Sequence, residues 1–181
     1  MSRTKLLSDE LVLDQAVELM HRNGPEGLSF ASLAGACGLS GATLVQRFGT
    51  KLQLRQRALL HAWDQLEART AALIGEMTRS PDGARRLLVA LSQGYGDIDA
   101  YAQGLLLLRE DMRDPALRAR GAAWGARLSA ELDACFPRPG LGALMAAQWQ
   151  GALLWWAFDP RQPVQDFVDA ALADFVAALA S

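Results

Sequence analysis

The stretch from Ser29 to Phe48 constrains this chain more than any other. Two apolar stripes of helical spacing, each only about two turns long, meet at Gly38-Leu39-Ser40. In the first, Phe30, Leu33, Ala34 and Cys37 recur at i, i+3, i+4 and i+7; in the second, Leu44 and Phe48 lie four residues apart. Ser29 starts the first helix, Ser40 caps the second, and Gly38 and Gly49 end them. Helices this short are marginal alone. Burial of Leu33, Ala34, Leu44 and Phe48 at a crossing predicts a helix-turn-helix. Gly41, Ala42, Thr43, Gln46 and Arg47 then face outward, small or polar, as a helix lying in a DNA major groove requires.

The flanking sequence extends the helical reading. Ser8 caps a first helix, with Asp9 and Glu10 placed well against its dipole and a stripe of Leu13, Ala16, Val17 and Met20. Gly24-Pro25 ends it. Thr50 and Gln53 form a capping box opening a fourth helix that runs to about residue 79. Beyond it, Pro and Gly signals predict helices over 81–99, 101–112, 115–135, 139–158 and 163–180. Ala and Leu dominate and β-branched residues are sparse. The expected fold is all-α with about nine helices. It places a three-helix helix-turn-helix head in residues 1–52 (motif about 29–48) and a helical-bundle body in 53–181.

Charge separates head from body. Met1 to Leu60 holds seven Lys/Arg against five Asp/Glu, and the remainder eleven against fifteen. From Gly27 to Trp63 there are four basic residues (Arg47, Lys51, Arg55, Arg57) and no acid. A basic head on an acidic body suits contact with a polyanion through the head alone. Arg55 and Arg57 read as a plain exposed face.

Other classes find little support. Cys37 and Cys135 are far apart and read as reduced thiols of a cytoplasmic protein. Residues 139–158 carry no charge over a membrane-span length, but Gln148, Gln150 and three glycines favour a buried interface helix and no membrane. His21 and His61 lack partners at catalytic or metal spacing, and there is no nucleophile elbow or Gly-rich phosphate loop. The chain is expected to be no enzyme, with no metal and no cofactor.

Four runs give the head a family likeness. They are Leu-Asp-Gln-Ala-Val-Glu-Leu from residue 13, Gly-Leu-Ser-Phe-Ala-Ser-Leu-Ala from 27, Cys-Gly-Leu-Ser from 37, and Phe-Gly-Thr-Lys-Leu-Gln-Leu from 48. In order and spacing, residues 13–54 resemble the tetracycline-repressor (TetR) family of regulators; Asp114-Pro115-Ala-Leu resembles a body loop more weakly. The resemblance implies a DNA-binding head, a body that takes a small-molecule effector, and a homodimer made through the last two helices. Carried over by position, Ser29 and Lys51 would meet phosphates at helix N-termini. Ser40, Gly41, Ala42, Thr43, Val45, Gln46 and Arg47 would lie on the recognition helix, with Gln46 placed for adenine and Arg47 for guanine or phosphate. The chain departs from the family pattern at Gly41, Val45 and Gln46, where basic or aromatic residues are usual. Three readings stay open: modest affinity, compensation by an N-terminal arm (Arg3, Lys5) in the minor groove, or a degenerate head that no longer binds DNA.

In the body, Tyr95, Trp124, Leu128 and Trp149 are the candidate effector-binding residues, chosen as aromatic and apolar groups on inner faces. The last helix shows a wide stripe, and Trp155, Trp156, Phe158, Val164, Phe167, Val168, Ala171 and Phe175 are the expected dimer interface. The expected function is ligand-responsive repression through a pseudo-palindromic double-stranded DNA operator, relieved by an apolar or aromatic effector.

Overall fold

The computed structural model describes residues 7–180; Arg3 and Lys5 lie outside them. Among the described residues there are nine α-helices and no strand: α1 (Asp9–Asn23), α2 (Phe30–Cys37), α3 (Gly41–Phe48), α4 (Lys51–Glu76), α5 (Pro81–Ser92), α6 (Ile98–Arg113), α7 (Pro115–Asp133), α8 (Leu141–Phe158) and α9 (Val164–Ala180). Single 3-10 turns occupy Pro25–Gly27 and Gln93–Tyr95. No helix among them is long and apolar enough to cross a membrane.

The helix starts follow the predicted chemistry. Ser8 accepts from the Leu11 amide, Ser40 from the Thr43 amide, and Ser29 forms a capping box with Ser32. Thr50 and Gln53 exchange the two expected bonds, at 2.8 and 3.2 Å. Gly38 ends α2 at φ 65°, a left-handed conformation that glycine adopts without penalty.

One boundary differs from expectation: the predicted 81–99 helix stops at Ser92. Ser92 turns its hydroxyl back onto the Leu88 carbonyl, Arg69 takes the Ala90 carbonyl at 2.6 Å, and Gly96 lies at φ 65°. Together these exhaust the last turn and redirect the chain.

Two compact units result. The first comprises the described residues up to Leu66 together with Ala102–Arg118. Its core is Val12, Ala16 and Met20 of α1, Leu33 of α2, Leu44 and Phe48 of α3, and Leu54 and Ala58 of α4, joined by Leu107 and Leu117. The second comprises Glu67–Tyr101 and residues from Ala119 onward. Leu88, Leu128, Leu132, Met145, Trp149, Leu153, Val168 and Leu172 form its centre.

One acid in the first unit is poorly accommodated. Asp111 Oδ1 is buried without a hydrogen-bond partner, and burial pushes this carboxyl up to about 6, with Glu110 and Asp114 adding repulsion and a Trp63 hydrogen bond opposing it. Because the folded value exceeds the unfolded one, the group costs nothing when protonated in both states. Above about pH 6 the folded chain carries a disfavoured charge. Asp111→Asn should therefore stabilise the protein at pH 7–8 by about 1–2 kcal/mol, discounted because the group keeps some water contact. That gain should fade as pH falls from about 6 toward 4. Urea titrations across that range would check it; a gain independent of pH would contradict the assignment.

Candidate nucleic-acid interface and effector region

The surface of α3 is built by its own amphipathicity. Leu44 and Phe48 are buried, which leaves Ser40, Ala42, Val45 and Gln46 exposed on the opposite side, Val45 at 48%. Gly41 and Thr43 are half-buried. The Thr43 hydroxyl lies 2.8 Å from that of Ser40, so both belong to the cap as well as to the surface. Ser29 is half-buried and its hydroxyl sits 3.0 Å from Ser32 Oγ. Lys51, in the first turn of α4, is exposed and pairs with Glu26 at 3.4 Å.

Arg47 departs from the outward position expected for it. Its Nε donates to Asp9 Oδ1 at 2.8 Å, and Nη2 donates to the same carboxylate and to the Leu7 carbonyl. Arg57 and Arg55 are not a plain exposed face either. Arg57 donates to Asp9 Oδ2 and to the Arg47 carbonyl and stacks 4.6 Å over the Phe48 ring. Arg55 pairs with Glu26 at 3.1 Å and Glu110 at 3.7 Å. Hydrogen bonds from Arg47 and then Arg57 hold Asp9 below the ordinary carboxylate range; Lys51 and then Arg55 do the same for Glu26. The acid-free window from Gly27 to Trp63 is thus met in space by acids from outside it. The exposed face of α3 carries no charge.

In the second unit, aromatic rings form a continuous row. Trp124 and Trp149 lie 6.5 Å apart between centroids, Trp149 and Tyr95 6.4 Å, Tyr95 and Tyr101 5.4 Å, and Tyr101 and Trp156 5.9 Å. Each indole along the row has a polar partner: Trp124 donates to Thr70, Trp149 to Ser92 and Trp156 to the Gln162 carbonyl. Burial pushes the Tyr95 phenol up to about 12, with Gln150 hydrogen-bonded to it. Tyr95, Trp124 and Trp149 are therefore contiguous, and Leu128 is buried in the same core. An open groove of about 590 Å³ has other walls, including Gln93, Asp97, Trp156, Gln162 and Gln165.

Helix α8 carries no charge, and its polar side chains, Gln148 and Gln150, are exposed. One face (Met145, Trp149, Leu153, Trp156) is buried in the unit's own core. The opposite face exposes Leu144, Leu154, Trp155 and Phe158 at 58, 47, 69 and 76%. Of the expected interface residues, Trp155 and Phe158 are thus exposed, their rings 6.0 Å apart. Trp156, Val164 and Val168 are buried within the chain, and Phe167, Ala171 and Phe175 pack partly buried against the same core.

Comparison with known proteins places this geometry. Residues 12–58 match the model of the bacterial regulatory proteins of the tetR family. That stretch of the head is similar to the tetR-family domain. No curated protein matches the chain. Among solved structures, a protein described as a transcriptional regulator from Saccharomonospora viridis, in complex with choline, is 19% identical at a TM-score of 0.72, covering 91% of this chain and 93% of that one. A protein described as a TetR-family regulator from Mesorhizobium loti is 22% identical at 0.65, covering 95% and 98%. The multidrug binding protein EbrR complexed with malachite green is 21% identical at 0.66, covering 93% and 98%. These likenesses show a shared all-α fold along nearly the whole chain.

What the sequence did not reveal about the head is the role of Asp9 and Glu26. Asp9 read as a helix-start charge; its partners are 38 and 48 residues away in sequence. No local pattern signals that pairing.

Proposed function

We propose that this chain is a ligand-responsive transcriptional regulator, acting as a repressor, that binds a pseudo-palindromic operator as a cytoplasmic homodimer and is released by a small apolar or aromatic effector. Residues 1–52 form the DNA-binding domain and 53–181 the ligand-binding and dimerisation domain. The observation that carries the reading is α3 of the head: capped by Ser40, anchored by Leu44 and Phe48, with Ala42, Val45 and Gln46 exposed. A helix of that shape offers Gln46 to adenine edges and Val45 to thymine methyls, while Ser29 and Lys51 at neighbouring helix starts take phosphates.

The exposed apolar face of α8 supports the dimer. Trp155 and Phe158 together with Leu144 and Leu154 need cover, and the small exposed residues Ala170 and Ala173 of α9 let a second helix approach closely. The row of rings around Trp149 supports an aromatic or apolar effector, which would bind by displacing ring contacts among Tyr95, Trp124 and Trp149. Induction then requires that the effector prefer the state in which the two heads are wrongly spaced for successive grooves.

A second reading, a helical ligand-binding protein with a degenerate head, is favoured by the uncharged face of α3 and by the acids paired with Arg47, Lys51 and Arg55. A mobility-shift titration with DNA from upstream of its own gene, at stated salt, separates the two. A specific shifted complex is expected; none with any adjacent intergenic fragment would favour the second reading.

A further inference from the structure

We infer that Asp9 is a positioning residue that competes with DNA phosphates for Arg47 and Arg57, setting how many phosphates the head can neutralise. The inference rests on the DNA-binding reading of the head. Arg47 sits in the last turn of α3, and the α3 face exposed beside it carries no charge. Its guanidinium is engaged by Asp9 through Nε and Nη2, and Arg57 occupies the other carboxylate oxygen at 2.9 Å. One carboxylate thus uses both oxygens on two guanidiniums.

The pairing has the geometry that a phosphate would offer the same groups, since guanidinium binds either anion through paired N–H donors. It is also reachable: the Asp9 side chain is 46% exposed and that of Arg57 41%. An anion arriving at α3 therefore meets two arginines already occupied, together with one negative charge that repels it. Of the four basic residues between Gly27 and Trp63, Lys51 keeps the most exposed side chain among those in ion pairs, at 48%. Counterion release on binding should accordingly be small in the native chain and larger once Asp9 is neutral.

The test is the salt dependence of affinity for the upstream DNA, measured on the full chain as wild type, Asp9→Asn, Glu10→Gln, and Asp9→Asn combined with Arg47→Ala. Asp9→Asn should bind about 5- to 20-fold more tightly at low salt, and its log–log salt slope should steepen by about one phosphate's worth. Glu10, exposed in the same turn, gives the same change in net charge without releasing an arginine. Glu10→Gln should move affinity by no more than about 2-fold. Adding Arg47→Ala should remove most of the gain. Asp9→Ser repeats the measurement should Asn at this position prevent folding. An Asp9→Asn slope equal to wild type, or an equal gain in Glu10→Gln, overturns the inference and leaves the DNA-binding reading standing. If neither wild type nor variant binds, that reading fails and the inference falls with it.

Discussion

Trp149→Ala is expected to destabilise the protein by about 4–5 kcal/mol, lowering the melting temperature by roughly 10–15 °C for a chain of this size. Trp149 is 2% exposed and stands at the middle of the ring row, between Trp124 and Tyr95. Truncation removes the largest fully buried side chain of the core and leaves a cavity that α5, α7 and α8 can only partly close. It also strips the buried Ser92 hydroxyl of its donor, at 2.8 Å, although Ser92 keeps its own bond to the Leu88 carbonyl. Trp149→Phe keeps most of the volume and loses only the indole hydrogen bond and part of the packing, so about 1–2 kcal/mol is expected. Urea unfolding of both variants checks the order. A Trp149→Ala cost below about 1 kcal/mol would show that the rings are not packed as described.

Gly142→Ala should be of similar size for a different reason. A Cβ there would lie 2.2 Å from the Asp133 amide nitrogen, 2.6 Å from the Ser129 carbonyl oxygen and 2.7 Å from the Leu132 carbonyl carbon. All three are backbone atoms near the end of α7, so no side chain can swing aside. The start of α8 has to move instead, at about 3 kcal/mol or more, and the bond from the Gly142 amide to Asp133 is lost with it. Gly125→Ala is the internal contrast: its Cβ would meet nothing within 4 Å in mid-α7. That change should stabilise by about 0.5–1 kcal/mol through helix propensity. If the two variants unfold at the same urea concentration, α7 and α8 do not touch as the backbone indicates.

These sites show what a sequence can and cannot carry. Helix positions were legible because their causes are local: Ser8, Ser40 and the Thr50–Gln53 box act within a few residues. The end of α5 was missed because Arg69, 21 residues earlier, supplies part of the stop. Gly142 was visible only as one of several glycines in an uncharged segment; that another backbone lies against it is a tertiary fact. Tyr95, Trp124 and Trp149 could be grouped from their types and helical positions, and the structure makes them neighbours. Trp155 and Trp156 show the limit of that approach. Adjacent in sequence and both expected at a dimer surface, they project from α8 about 100° apart, so one is 69% exposed and the other 2%. The charge of the head was misjudged most. Counting signs over Gly27–Trp63 found cations alone, while Asp9 and Glu26 reach them through the fold.

The central claim, that the exposed face of α3 meets DNA, is tested most directly with Ala42→Glu. Ala42 is exposed in the first turn of α3, where an added carboxylate favours the helix dipole, so folding and melting temperature should hold. Titrated against the upstream DNA at fixed salt, the variant should bind at least about 100-fold more weakly than wild type, because the new charge would face the phosphates and base edges of the groove. Equal affinity in a folded Ala42→Glu protein would contradict the account.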